Sequence, residues 1–429
     1  MRTAWLALLL LGPGCAKPAP QPQVQAAPPT QNDMRSEGMN APAPAPVPDE
    51  PPSPLGGIWE GRLGTQPVRA CFSVEGSFGG YFTLTRLRFV GLDGVAGSED
   101  SFSEGTTQGA PVWRNVQATG AVLTATRTSG REMLPVRLRR VAAATVGGDT
   151  GPCSSFAFHR PRMTGIRIVH TRGQVDGTAY TKLTLDTRGH FDIRFNTFAL
   201  DGGGAAVRRI NAELGEGLSG NPPGWFFCIN NSLVMFPGEG ESDEALEPVM
   251  ISRRWLSVAH RGTVFCGGAH PDGYVMHQLF DRSSGAAVEL LNWFRPTAVK
   301  HERVTGMEED YLTVQPAFRA FLLAGQRLEN DADGECARVL RDQDRWNAGM
   351  TRTGIVFIPE LPHVVQACSR DITIPFDRIR PWLKPEGAAA VAALQAERRS
   401  GYFTRCRARL CRRASSASLR RRSALSREK

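Results

Sequence analysis

The sequence predicts an α+β protein in two parts. An all-β N-terminal domain, a small barrel or sandwich, is followed by an α+β domain with a largely antiparallel sheet. Three observations predict this. From Gly56 to about Arg160, runs of β-branched and aromatic residues follow one another without helical periodicity. Beyond Pro161, similar runs are interrupted by stretches whose apolar residues recur at helical spacing. Strands arriving in runs between helices are the signature of segregated α+β architecture.

In the first part, residues 56–160, VRACFSV and GYFTLTRLRFVGL are strand-like, and AVLTATRT leads into the turn Ser129-Gly130. LPVRLRRV then alternates Leu134, Val136 and Leu138 with Arg137 and Arg139, which gives one buried and one wet face. In the second part, residues 161–397, GTAYTKLTLDT and HFDIRFNTFAL are strand-like. After DGGG, the segment AAVRRINAELGEG places Val207, Ile210 and Leu214 on one helical face and stops at Gly215 or Gly217. The three glycines lack a Gly-Lys-Ser/Thr ending and a dinucleotide pattern, so they read as a connection, not a phosphate loop.

PGEGESDE and the carboxylates of GESDEALE and MEED read as solvated loops. VMISRRWLSVAH and AAVELLNWF read as strands. QPAFRAFLLAGQRL is a helix with Phe318, Phe321 and Leu322 on one face and Pro316 at its permitted start. GIVFIPE and RDITIPF supply late strands, while FDRIRPWLKPEG and AAAVAALQAERR are closing helices. Trp225, Phe226 and Phe227, beside Cys228, read as core.

The ends of the chain read differently. Residues 1–14 combine Arg2, a short apolar run from Ala4 to Leu11 and a Gly-Pro break, the order of a secretory signal too short to span a bilayer. Gly14-Cys15 resembles a bacterial lipobox, which implies cleavage before Cys15 and lipid attachment to it, although Gly12 stands where a Leu is usual. From Ala16 to Leu55 there are 12 prolines in 40 residues, so residues 15–55 form an extended linker that cannot bury a core.

The net charge of +9 is concentrated at the other end. Residues 398–429 hold 12 Lys or Arg against a single acid, leaving the rest of the chain slightly negative. A terminal block of like charge reads as a solvated tail, so nucleic acid is not an expected partner. Beyond Cys15, eight cysteines remain, an even set suited to an oxidising compartment. Sequence alone leaves their connectivity open. Chain proximity favours Cys71 with Cys153, Cys228 with Cys266, and Cys336 with Cys368.

FCGGAHPDGYVMHQLFDRSSG, from Phe265 to Gly285, is the densest cluster of polar chemistry. A catalytic or metal reading uses His270, Asp272 and His277. Zinc sites require ligands at fixed helical or short cysteine spacings, and none occurs here. Strand and turn chemistry covers nearly every position instead. Phe265 ends a strand, Gly267 and Gly268 permit positive φ, Pro271-Asp272-Gly273 turn the chain, and Tyr274 to Phe280 returns. Asp281-Arg-Ser-Ser-Gly285 forms the next hairpin loop. The stretch is therefore expected to be scaffold, with no metal or cofactor.

These same residues carry a resemblance. Gly267-Gly268-Ala269-His270-Pro271, a strand, then Asp281 and Gly285 resemble the extracytoplasmic domain shared by RsiV-type anti-sigma factors and PdaC-type peptidoglycan deacetylases. The similarity covers roughly residues 190–387 and includes INAEL near Ile210 and the Ile-Pro endings at GIVFIPE and DITIPF. Ser284 stands where that family has Thr. The resemblance implies an α+β binding module of the bacterial cell envelope, which in the RsiV branch recognises lysozyme. The cytoplasmic and membrane-spanning segments of the one branch, and the deacetylase domain of the other, have no counterpart in the sequence.

Gly-x-Ser-x-Gly, His-Glu-x-x-His and Cys-x-x-Cys motifs are missing, and the Ser426-x-x-Lys429 match falls in the basic tail. The expected function is non-enzymatic. An envelope lipoprotein, held to the membrane only by its lipid, would bind an extracellular protein such as a lysozyme-like enzyme, or peptidoglycan. The rivals are an envelope hydrolase using His270, Asp272 and His277, and a ligand-free spacer.

Overall fold

Alternating strands close on themselves in the first part. The computed structural model describes residues 51–144, 151–303, 310–324, 326 and 334–399. Cys15, the signal, nearly all of the linker, most of MEED, Cys406, Cys411 and all but the start of the basic tail lie outside the described residues.

Eight antiparallel strands form a closed barrel: β1 (Gly57–Leu63), β2 (Gln66–Phe72), β3 (Phe78–Thr83), β4 (Val90–Gly94), β5 (Phe102–Ser103), β6 (Val112–Thr119), β7 (Val122–Ser129) and β8 (Glu132–Ala143). Closure is made by β1, which pairs with β2 on one side and β8 on the other. A closed barrel leaves no edge strand to aggregate. Its interior is packed with Trp59, Val68, Phe72, Leu92, Trp113, Leu123, Val136 and Leu138. Arg137 and Arg139 point outward, as their alternation with Val136 and Leu138 requires. The run GYFTLTRLRFVGL is split into β3 and β4 by the loop that holds Leu87, whose φ is +57°.

The chain then covers the outer wall of the barrel. Cys153 is bonded to Cys71, and α1 (Phe156–His159) sets Phe158 against Phe82 and Ile58.

The second part is built on seven strands in the order β15-β14-β13-β12-β11-β10-β9: β9 (Arg167–Val175), β10 (Thr178–Asp186), β11 (Ile193–Leu200), β12 (Glu241–Ile251), β13 (Trp255–Phe265), β14 (Asp272–Asp281) and β15 (Ala286–Val288). Every neighbouring pair is antiparallel except β11 with β12. The crossover between those two contains α2 (Ala205–Leu214) and α3 (Phe226–Met235).

Adjacent strand residues point to opposite faces, and three such pairs divide here. Ile251, Leu256 and Phe280 meet Ile210 and Leu214 of α2. Met250, Trp255 and Leu279 enter the largest core, on the other face. That core is closed by a hairpin of β16 (Val299–Arg303) with β17 (Asp310–Val314), then α4 (Pro316–Leu323), α5 (Glu335–Asp342), a three-stranded sheet of β18 (Trp346–Met350), β19 (Gly354–Pro359) and β20 (Ile372–Pro375), and finally α6 (Phe376–Ile379) and α7 (Pro385–Arg399).

Several expectations are corrected. GESDEALE is strand, not loop, because Ser242 to Ala245 pair with Ile193 to Asn196 of β11, with Glu241, Asp243 and Glu247 exposed and Glu244 half-buried. AAVELLNWF is only partly extended, since a 3₁₀ turn at Leu290–Trp293 drives Leu290, Leu291 and Trp293 into the core. Asp272 and Gly273 belong to β14 and not to the turn, each paired with β13. Phe227 is 65% exposed although Trp225 and Phe226 are buried, because the helix α3 sends consecutive side chains in different directions.

A buried cation bonds to both parts. Arg162 is fully buried, and each of its five N–H donors has an acceptor. Nε donates to Leu87 O at 2.8 Å, Nη1 to His159 Nδ1 at 3.0 Å and to Glu239 Oε1, and Nη2 to Glu239 Oε2 at 2.8 Å and to His190 O. Its guanidinium lies 4.0 Å from the centre of the Phe191 ring. His159 Nε2 approaches Cys153 O at 2.8 Å, so Nε2 carries the proton and Nδ1 is free to accept from Arg162. Burial, reinforced by Arg162, holds this imidazole well below its ordinary range, which keeps it neutral.

Candidate functional site

At one end of the seven-stranded sheet two loops meet, each fixed at its base by a disulfide. The first runs from Cys266 to Pro271, between β13 and β14. Cys266 is bonded to Cys228 of α3, and its carbonyl accepts from Asn231 Nδ2 at 2.6 Å. Gly267 and Gly268 have φ of +95° and +112°, which only glycine adopts readily, and Gly267 lies against Ser232 and Phe236. The second loop is the 3₁₀ turn His363–Cys368, whose Cys368 is bonded to Cys336 of α5. The three disulfides join the pairs of cysteines that chain proximity favours, and they suit an oxidising, extracytoplasmic compartment. Among the described residues, no helix is long and apolar enough to cross a membrane.

The two loops touch through their tips. The His270 and His363 rings stack at 5.5 Å with 7° between their planes. His363 Nδ1 lies 3.5 Å from Asp272 Oδ1, and Gln366 Nε2 donates to Gly273 O at 2.8 Å. Val364 beside them is 86% exposed, and Phe227, Val234 and Phe236 of the neighbouring α3 segment also face solvent. Scattered apolar residues on a surface are ordinary, and what distinguishes this end is that the two stacked imidazoles are exposed on loops braced by disulfides.

A cleft of about 390 Å³ opens beside Pro271, at the N-terminal ends of β11 and β12. Phe191, Phe265, Asp192, Glu241 and Asp243 line it. Asp192 is met by Arg88 at 3.1 Å and Asp243 by Arg194 at 2.9 Å, both in open solvent, where such pairs contribute little. Rings and hydroxyl- or carboxylate-bearing side chains in a shallow groove can take up polar, hydroxylated ligands by hydrogen bonds while the rings exclude water.

The structure does not bring His270, Asp272 and His277 together. Asp272 and His277 are five residues apart on one extended strand, which separates their Cα atoms by roughly 16 Å. His277 lies under the β18 sheet, with its backbone N–H on Asn347 Oδ1 at 2.5 Å and its ring against Gly349. Neither ring nitrogen has a hydrogen-bond partner among the described residues. Burial lowers its pKa to about 4, with a smaller opposing pull from Asp371. A neutral, enclosed imidazole of this kind is a core residue. At the loop tip, His363 and Asp272 are 45% and 58% exposed, so water screens their contact. Among the described residues, no group of three or more His, Cys, Asp or Glu is placed to hold a metal.

Two sets of residues had no signal in the sequence. His363 and Val364 sit in PHVVQACS, and only the pairing of Cys368 could have drawn attention to them. The other set is Glu244, His260 and Tyr274, from three adjacent strands. Glu244 Oε2 accepts from Tyr274 OH at 2.5 Å and lies 3.2 Å from His260 Nε2. Burial pushes the Glu244 carboxyl up, but these hydrogen bonds outweigh it and hold the group below its usual range. Burial and the same carboxylate raise the Tyr274 phenol, which makes it a poor nucleophile.

No protein-family model matches the chain, and no curated protein matches it. Among solved structures it is similar to a DUF3298 family protein from Pseudomonas aeruginosa PAO1, at 13% identity and a TM-score of 0.28 over 52% of this chain and 95% of that one. It is also similar to a DUF3298 family member from Bacteroides fragilis NCTC 9343, at 9% identity and a TM-score of 0.30 over 54% of this chain and 96% of that one.

Proposed function

We propose that the chain is a non-enzymatic binding protein of the bacterial cell envelope, tethered through a lipid on Cys15 and the proline-rich linker. Its loop pair engages an extracellular partner, a lysozyme-like protein or peptidoglycan. The observation that carries this reading is the exposed His270–His363 stack with Val364, standing on two disulfide-bonded loops. Rigid loops lose little conformational freedom on binding, so more of the contact energy is left for affinity. The exposure of His363 and Asp272 favours recognition over catalysis, since a general base works best in a water-excluded site.

The test uses the full chain carrying Cys15→Ser, so that no lipid attaches. Co-sedimentation with insoluble peptidoglycan and binding to immobilised lysozyme are measured beside His270→Ala and Val364→Asp. One of the two partners is expected to retain the parent protein. Both variants should weaken retention by about tenfold or more, the usual cost of altering a central contact, with an unchanged melting temperature. Retention by neither partner, or variants that bind like the parent, would overturn the proposal.

A further inference from the structure

The barrel interior is mostly apolar, with Arg140 over the Trp59 ring toward one end and a buried ion pair at the other. There Glu104, just beyond β5, is 6% exposed and accepts four hydrogen bonds. Its Oε1 takes Tyr81 OH at 2.8 Å, Trp113 Nε1 at 2.9 Å and Arg127 Nε at 2.6 Å, and its Oε2 takes Arg127 Nη2 at 2.8 Å. Replacing a buried ion pair by apolar side chains of similar volume is often neutral or stabilising, so stability alone gives little reason for this pair. Above this ion pair the barrel opens into a cavity of about 580 Å³, within the range of small-molecule sites. A closed barrel of eight strands is just wide enough for a packed interior or one small ligand, and this one has the first along most of its length and room for the second at its mouth.

The charges at the mouth decide what fits. Glu104 is neutralised by Arg127. Arg127 Nη1 makes no hydrogen bond among the described residues, its nearest acid being Glu132 Oε2 at 3.9 Å, where Glu132 is 61% exposed. Arg88 is turned to Asp192 at 3.1 Å. Arg86, exposed on the rim, has no acid partner among the described residues. Leu63, Phe89 and Leu134 supply apolar walls, and Thr83 and Gln66 supply polar groups at the rim.

We propose that this end of the barrel binds a small organic carboxylate, its anionic group taken by Arg127 Nη1 and Arg86 and its body held between Leu63, Phe89 and Leu134. The site is separate from the loop pair and does not depend on the function proposed there.

Calorimetric titration of the full Cys15→Ser chain with benzoate and with glucuronate tests it, with benzyl alcohol, glucose and inorganic phosphate as controls. One carboxylate is expected to bind at one site per chain, and its neutral counterpart about tenfold more weakly or worse, as the loss of a charge-assisted hydrogen bond dictates. Arg86→Gln should weaken binding several-fold, Glu132→Gln should tighten it, and Thr83→Trp should block it, all three keeping the parent melting temperature because the residues stand at the rim. Added salt should weaken binding through screening. Absence of binding by both carboxylates, equal binding of the neutral compounds, binding of phosphate alone, or indifference to Arg86→Gln and Glu132→Gln would each overturn the assignment.

Discussion

His277 shows how a residue with catalytic chemistry becomes part of a core. Its ring is enclosed between β14 and Gly349, and burial lowers its pKa from 6.5 to about 4. The unfolded chain binds a proton here below pH 6.5, and the folded chain does not until about pH 4. The unfolded state therefore holds more protons in that window, and stability falls as the pH is lowered through it. Over the whole window the loss amounts to about 3 kcal/mol. His277→Leu, which fills the site without titrating, should keep most of that stability, as read from urea unfolding at pH 7.5 and pH 4.5. An equal acid loss in parent and variant would remove His277 as its source. His159 adds to the same acid sensitivity, since its protonation would place a charge against Arg162.

The elements differ in how far the sequence announces them. Leu134, Val136 and Leu138 against Arg137 and Arg139 spell out β8, since one wall of a closed barrel faces the core and the other faces water. Ile210 and Leu214 mark the buried side of α2 in the same way. GESDEALE does not announce β12, because its β11 partners lie 49 residues away and most of its acids project outward, leaving a polar run with no local trace of that pairing. The loop pair is half legible. Gly267 and Gly268 signal the backbone reversal, but nothing near His270 points to His363, which reaches it only through tertiary packing. Glu104 and Arg127 are equally hidden, one just beyond β5 and the other on β7, where barrel closure brings them together.

Disulfides turn such distant neighbours into fixed ones, and their contributions scale with the chain they enclose. Cys71–Cys153 spans 82 residues and Cys336–Cys368 spans 32. On the chain-entropy account, replacing the first pair by serine should cost about 0.8 kcal/mol more than replacing the second, each loss being roughly 2–5 kcal/mol. Denaturant unfolding of the two double-serine variants measures the difference. The reverse order would show that native-state strain or residual structure outweighs loop length.

At the scale of the whole molecule, Arg162 unites the barrel and the seven-stranded sheet. Leu87 comes from the barrel, His159 from the segment covering it, and His190 and Glu239 from the α+β part, and one guanidinium holds all four. Removing one member of a buried charged cluster leaves the others unpaired and costs about 3–5 kcal/mol. Calorimetry should show the barrel and the α+β part of the parent protein melting in one transition. Arg162→Met should lower the midpoint and separate the barrel from the α+β part as two transitions. Arg162→Lys should not restore the single peak, because an ammonium has three donors where five acceptors wait. A single transition at the parent midpoint in Arg162→Met would show that the two parts are coupled by other contacts.

The lone parallel seam between β11 and β12 sets the order of assembly. The antiparallel ribbons β9-β10-β11 and β12-β13-β14 can zip up from their own connecting turns, whereas the seam must wait until residues 201–240 have folded back across the sheet. Loop-closure entropy makes such non-local pairing slow. The two ribbons therefore carry unpaired inner edges until the crossover docks, and during that interval each edge is open to pairing with another chain.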